Sequence, residues 1–169
     1  MVRNSNNTYS IMRDVTLCFL INQNKQQILL AMKKRGFGKG KWNGIGGKVE
    51  TKRDRNIKAA AVREIKEEID VVVENLTKVA EITFTFPTKS EYSQKVHVYF
   101  VYVWEGEPQE SEEMKPKWFG LDGIPYDKMW EGDATWFPTI LEGKYVTAEL
   151  RYSEDGELLD HQIDAKDML

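Results

Sequence analysis

The segment Arg35–Lys48, RGFGKGKWNGIGGK, carries six of the chain's 12 glycines and constrains the fold more than any other stretch. Glycine at this density favours neither helix nor strand, and it marks places where backbone must turn sharply or approach another group closely. Six glycines beside several lysines first suggest a phosphate-binding loop. The usual versions do not fit. A GxxxxGK[ST] loop ending at Gly47-Lys48 would need glycine at Trp42 and Ser or Thr at Val49. In each register of GxGxxG the third glycine falls on Lys41, Asn43 or Val49. The glycines therefore stand open to two readings, turns alone or a close approach to a ligand.

The stretch that follows, from Asn56 to Ile69, changes character: it is Ala-rich and charged, without Gly or Pro, and it predicts a helix. Glu64, Glu67 and Glu68 fall at i, i+3 and i+4, so at ~100° per residue they share one face. Ala61, Ile65 and Ile69 share another, apolar face suited to packing on a sheet. Like charges at this spacing repel by a few tenths of a kcal/mol per pair. A hard divalent cation would convert that repulsion into binding, since Mg²⁺ takes oxygen ligands together with substrate phosphates. The bland alternative is a solvated acidic face with Lys58 and Lys66 nearby.

Around this centre the chain reads as strands and hairpins. TLCFLIN and QQILLAM flank a polar turn at Asn22–Lys25, and YVTAELRY and ELLDHQI flank SEDG. Lys78–Phe86 and Lys95–Glu105 are β-branched and aromatic, and Trp118–Leu121 predicts a short strand. Asp133 opens a second helix, as its N-cap, that ends at Gly143. The expected class is α+β, a sandwich rather than a regular βαβ array. With 169 residues, one domain is expected over residues 11–169 behind a flexible N-terminus, residues 1–10. Lys+Arg 24 against Asp+Glu 27 leaves a net charge of −3, which argues against duplex nucleic acid as a partner. Val15–Ile21 and Val96–Trp104 are too short to span a bilayer, so no membrane partner is expected. A lone cysteine, Cys18, beside two histidines gives neither an internal disulfide nor a zinc site. The expectation is a cytoplasmic, monomeric protein.

Taken together, GGKVE-TKRDRN-IKAAAVREIKEEIDV resembles the catalytic box of the Nudix hydrolases. Arg63-Glu64-Ile65-Lys66-Glu67-Glu68-Ile69-Asp70-Val71 matches the box's second half, except that Asp70 stands where the family has glycine. Asp tolerates left-handed backbone better than most residues, so this change is mild. The first half departs further: the loop from Gly47 to Arg63 is two residues longer than the family's. Arg55 stands at the family's upstream glutamate counted from the helix, and Glu50 is the nearest glutamate before it. The resemblance implies a Nudix fold, an α/β/α sandwich with a central mixed sheet and a loop–helix–loop catalytic motif. MKKRGFGKGKWNGIGGKV, EEMKPKWF-LD-IP-DKMW and WFP narrow it to the branch that hydrolyses oxidised purine nucleoside triphosphates.

By that resemblance Glu64, Glu67 and Glu68 bind Mg²⁺, or Mn²⁺, against the phosphates, with the carbonyl of Gly46 or Gly47 and a further acid, Glu113. Arg63 orients the carboxylates, and Glu67, Glu68 or the ion activates the attacking water. Lys33 and Asn43 line the nucleoside pocket over Thr16, and Phe37, Phe84, Trp130 and Trp136 stack the base. The branch has two adjacent aspartates to read the base; this chain keeps Asp133 and has Gly132 for the other, which implies a weaker preference for oxidised purines. The implied activity is release of a nucleoside monophosphate and pyrophosphate from a small nucleotide. Hydrolysis of another nucleoside diphosphate-linked compound and nucleotide binding without turnover are the alternatives.

Overall fold

Strand β1 (Arg13–Asn22) accounts for both faces of the central sheet. In the computed structural model, which describes residues 12–168, its Phe19 and Ile21 enter one hydrophobic core while Cys18 and Leu20 enter another. A strand buried on both faces reads as a continuous apolar run, which is why TLCFLI lacks polar alternation. The expected flexible N-terminus, residues 1–10, lies outside the described residues.

β1 forms a hairpin with β2 (Gln27–Lys33), and β2 also pairs with the two-residue β3 (Trp42–Asn43) and with β6 (Met114–Gly120). On its other side β1 runs parallel to β5 (Gln94–Val101), followed by β4 (Thr77–Thr85), β7 (Lys144–Tyr152) and β8 (Leu158–Asp167). The order β3-β2-β1-β5-β4-β7-β8 is mixed, with β1–β5 and β4–β7 parallel. Helix α1 (Ile57–Ile69) packs Ala61, Ile65 and Ile69 on one face, and α2 (Asp133–Leu141) packs Trp136, Phe137 and Ile140 on the other. The result is the expected sandwich.

Both ends of α1 follow from sequence. Asn56 caps it, its Oδ1 accepting from the Ala59 N–H at 2.8 Å. Asp70 ends it in the left-handed region at φ 57° with its own N–H on the Lys66 carbonyl, the conformation for which a glycine would be the usual choice. Two expectations need correction. β6 starts at Met114 rather than Trp118, because Pro116 is tolerated where β6 pairs on one side only. Asp133 is the first residue of α2 and not its N-cap; Gly132 occupies the cap, at φ 100°, and the Asp133 carboxyl makes no capping bond.

Asn56→Ala removes the α1 cap and is expected to cost about 1 kcal/mol of stability. In a chain of this size that lowers Tm by about 2–4 °C in a thermal melt.

Candidate active site

The second half of the glycine-rich segment is laid directly on β1. Thr16 and Gly47 join through an N–H to carbonyl bond of 2.9 Å, and Cys18 and Ile45 exchange bonds of 2.6 and 2.9 Å. A Cβ on Gly46 would stand 1.9 Å from the Thr16 carbonyl oxygen, and one on Gly47 would stand 2.6 Å from the Glu64 carboxylate. Gly46 admits no side chain against the β1 backbone, and one at Gly47 would displace the Glu64 carboxylate, so the ambiguity of these two glycines resolves to close approach. The Gly46 carbonyl accepts no hydrogen bond among the described residues and remains open as an oxygen ligand.

Glu64, Glu68 and Glu113 line one end of a cavity of about 530 Å³. Glu68 Oε2 is buried and has no hydrogen-bond partner among the described residues. Burial, reinforced by the charges of Glu64 and Glu113, pushes the Glu68 carboxyl up to about 7, and burial also raises Glu64. An orphaned carboxylate oxygen, a second buried carboxylate against Gly47 and a free carbonyl form an all-oxygen donor set. These residues fit a hard divalent cation.

Glu67 departs from expectation. It does not line the cavity; it accepts from Arg53 Nη2 at 3.0 Å and from Arg63 Nη1 at 3.1 Å. Glu113 is likewise engaged, by Arg35 Nε at 2.6 Å. Among the described residues, accordingly, no three acids are gathered into a ready cage. Arg63 also lies off the cavity wall and is a positioning residue. It donates to both oxygens of Asp54 at 2.8 and 2.9 Å, to Glu64 at 3.1 Å and to the Lys48 carbonyl at 3.2 Å. Asp54 is buried inside the lengthened loop, and the Arg63 guanidinium holds its carboxyl at about 2. The acid partner of Arg63 is thus Asp54, rather than Glu50 or a residue at position 55.

The other end of the cavity is aromatic. Phe37 stacks on Tyr92 with centroids 4.5 Å apart and planes at 10°, and sits 5.0 Å from Trp130. Lys41 Nζ lies 5.1 Å from the Trp130 ring centroid. Thr16, Lys33, Asn43 and Phe84 also line the cavity. Trp136 does not: it is 1% exposed and packs edge-on against Phe137, a core side chain. Asp133 is equally sealed, 2% exposed, with Oδ2 unpartnered among the described residues and the Trp136 indole nearby. Burial raises its carboxyl to about 7. At Gly132 a Cβ would meet Tyr152 Oη at 3.1 Å and Leu158 Cδ2 at 3.2 Å, and φ is 100°. An aspartate there would be strained twice over. Sequence reasoning missed Phe86, Tyr92 and Gln94 on the cavity wall. Phe86 closes the first of the two predicted strands, and Tyr92 and Gln94 lie in the stretch between them, which carried no site signal.

Comparison with known proteins is consistent across sequence and fold. Residues 12–140 match the NUDIX domain. The oxidized purine nucleoside triphosphate hydrolase of Danio rerio is 43% identical over 138 residues, covering 82% of this chain and 86% of that protein. The protein of the same name from Mus musculus is 41% identical over the same length and coverage. A MutT protein of Bacillus halodurans superposes with a TM-score of 0.78 at 26% identity, covering 90% of this chain and 98% of that one.

Two outcomes follow from this geometry. Asp54→Ala strips Arg63 of its two-pronged partner and is expected to cost about 1.5–3 kcal/mol of stability, the range for hydrogen bonds to charged groups. Arg55→Ala, at an exposed position, should leave both stability and turnover nearly unchanged. Urea unfolding of the two variants separates them. The second outcome concerns pH. Folded Asp133 keeps its proton up to about 7, whereas an ordinary aspartate near 3.8 has released it. Its contribution to stability is therefore complete below about pH 4 and is lost as pH rises to about 7. Asp133→Asn should flatten the fall in Tm between those limits; an unaltered slope would show that Asp133 is not its source.

Proposed function

The chain belongs to the NUDIX family, and from that membership we propose that it is a nucleoside triphosphate diphosphatase that releases a nucleoside monophosphate and pyrophosphate, with oxidised purine nucleotides among its substrates. The observation that carries this reading is the make-up of the cavity wall: carboxylates grouped around Glu68 and aromatic rings grouped around Phe37. A nucleotide has the same asymmetry, an anionic tail that needs a cation and a flat base that stacks. Base–aromatic stacking is worth ~1–3 kcal/mol per base in nucleic-acid binders.

Glu64, Glu68 and the Gly46 carbonyl are the groups that would hold the divalent ion, with Glu67 and Glu113 in the same acidic cluster. When bound, Mg²⁺, or Mn²⁺ in its place, neutralises charge on the transferring phosphoryl group and assists the attacking water. Glu68 takes the proton from that water through the carboxylate oxygen that does not hold the ion, because it lies on the cavity wall, whereas Glu67 is clamped by two arginines. Water oxygen bonds to one phosphorus, the bridging P–O bond breaks, and the departing oxygen leaves on pyrophosphate. Lys33 lies on the cavity wall beside the acids and balances phosphate charge. Arg63 fixes Glu64 while drawing on Asp54. A cytoplasmic monomer fits this reading, and the single cysteine, Cys18, is buried and unbridged.

Pyrophosphate release from a panel of ordinary and oxidised nucleoside triphosphates, with and without metal, tests the reading. Chelation should abolish turnover and Mg²⁺ restore it. Glu68→Gln should lower turnover by ~10²-fold or more, the scale of a lost base or charge-stabilising group, and at least ~10-fold further than Glu67→Gln. Equal losses in the two variants would remove the assignment of the proton to Glu68. Turnover of nucleoside diphosphate-linked compounds alone would shift the substrate class.

A further inference from the structure

The aromatic end of the cavity needs a group that distinguishes one base from another, and several of its polar side chains are already partly engaged. Asn43 Oδ1 accepts from the Gly44 N–H at 2.9 Å, which leaves its NH2 donors to face a base. Arg13 donates to the Glu91 carbonyl, and Lys41 sits over Trp130. Asp133 is sealed from the cavity, and Gly132 has no side chain to offer. Gln94 is different. It lines the cavity, it is half-buried, and its carboxamide makes no hydrogen bond among the described residues.

Its backbone is fixed from both sides. As the first residue of β5, Gln94 pairs with Arg13 on β1 and with Phe84 on β4. The turn before it is tied down by the Arg13–Glu91 contact and by Ser93 Oγ, which accepts from the Phe86 N–H at 3.0 Å. Phe84, Phe86 and Tyr92 line the same wall. A backbone held in this way fixes where the side chain starts, so only its own rotamers remain to be ordered when it meets a ligand.

We infer that Gln94 reads the edge of the base held in the aromatic slot and is a specificity-determining residue of this site. The inference rests on the nucleotide reading above. A carboxamide offers one acceptor and two donors, so it can meet the mixed edge of a purine, as Gln does with adenine N6 and N7. Selectivity lost with the absent acid at position 132 is supplied, at least in part, from the opposite strand.

The test uses equilibrium binding, which does not depend on turnover. Isothermal calorimetry of the full chain without metal gives Kd for dGMP, 8-oxo-dGMP, dAMP and dCMP, in the parent, Q94L and Q94E. Q94L keeps the bulk and removes the hydrogen bonds; it should weaken the purine monophosphates by ~3–10-fold, the scale of a neutral hydrogen bond, and dCMP much less. Q94E turns the amide into an acceptor only, so the ratio of dGMP to dAMP affinity should move by at least ~3-fold. The direction of that shift tells which edge is read. Unchanged Kd values in both variants, equal weakening of dCMP, or a parent that binds none of the four would overturn the inference. Pyrophosphate release is scored separately. Parent protein that binds purines through Gln94 yet releases no pyrophosphate would refute the diphosphatase reading and leave this one standing.

Discussion

A strip of backbone wedged between a strand and a helix organises the whole site. Gly46 lies so close to β1 that a Cβ would overlap the Thr16 carbonyl, and Gly47 so close to α1 that a Cβ would strike the Glu64 carboxylate. Were Gly46 larger, the loop would lift from β1, and the bonds from Thr16 to Gly47 and between Cys18 and Ile45 would break; were Gly47 larger, the Glu64 carboxylate would have to move aside. Glu64 would then lose the wall that buries it. The closeness that excludes side chains also keeps the carboxylates poorly hydrated, which is why burial leads the causes that raise Glu64 and Glu68. A site that holds carboxylates in this condition is stabilised by whatever cation enters it.

The second constraint is electrostatic. α1 carries three glutamates within two turns, yet the structure leaves only two of them facing the cavity. Arg63 resolves the repulsion by spreading one guanidinium over Asp54, Glu64 and Glu67, and Arg53 takes the outer oxygen of Glu67. Arg63 is largely buried while Arg53 is exposed, so the two contacts differ in weight. An exposed pair contributes roughly 0–1 kcal/mol and is easily exchanged for a metal. A buried, two-pronged pair such as Arg63–Asp54 is the fixed point from which the rest of the acidic cluster hangs.

Much of this was legible in the sequence, for reasons that differ by residue. The helix, its Asn56 cap and its apolar stripe are local, and periodicity reveals them. The carboxylate trio follows from i, i+3, i+4 spacing, although spacing cannot tell which member will be drawn off by an arginine. Asp54 escaped because the loop is two residues longer than the resemblance led one to expect, so the acid stands one position before the place where it was sought. Gln94 escaped because it meets Arg13 only through the parallel pairing of β1 with β5, some eighty positions apart, and Tyr92 because its stack on Phe37 joins segments more than fifty positions apart. Trp136 failed in the opposite sense. It lies on α2 with Phe137 and Ile140, and the core claimed it.

The position of Gly132 shows how a change in recognition is coupled to the fold. Its left-handed φ lets the chain turn from Trp130 into α2, and Tyr152 closes the turn by donating to the Glu131 carbonyl at 2.6 Å. Tyr152 in turn lies 5.9 Å from Trp130 and 5.3 Å from Phe86, centroid to centroid, so the hydroxyl that fixes the turn belongs to a ring that backs the base slot. A side chain at 132 would push on that hydroxyl and on Leu158 at once. The absent carboxylate is therefore not a simple vacancy in the pocket. It goes with a left-handed turn that Tyr152 and Leu158 hold beside Trp130, into which a side chain at 132 fits only by displacing them.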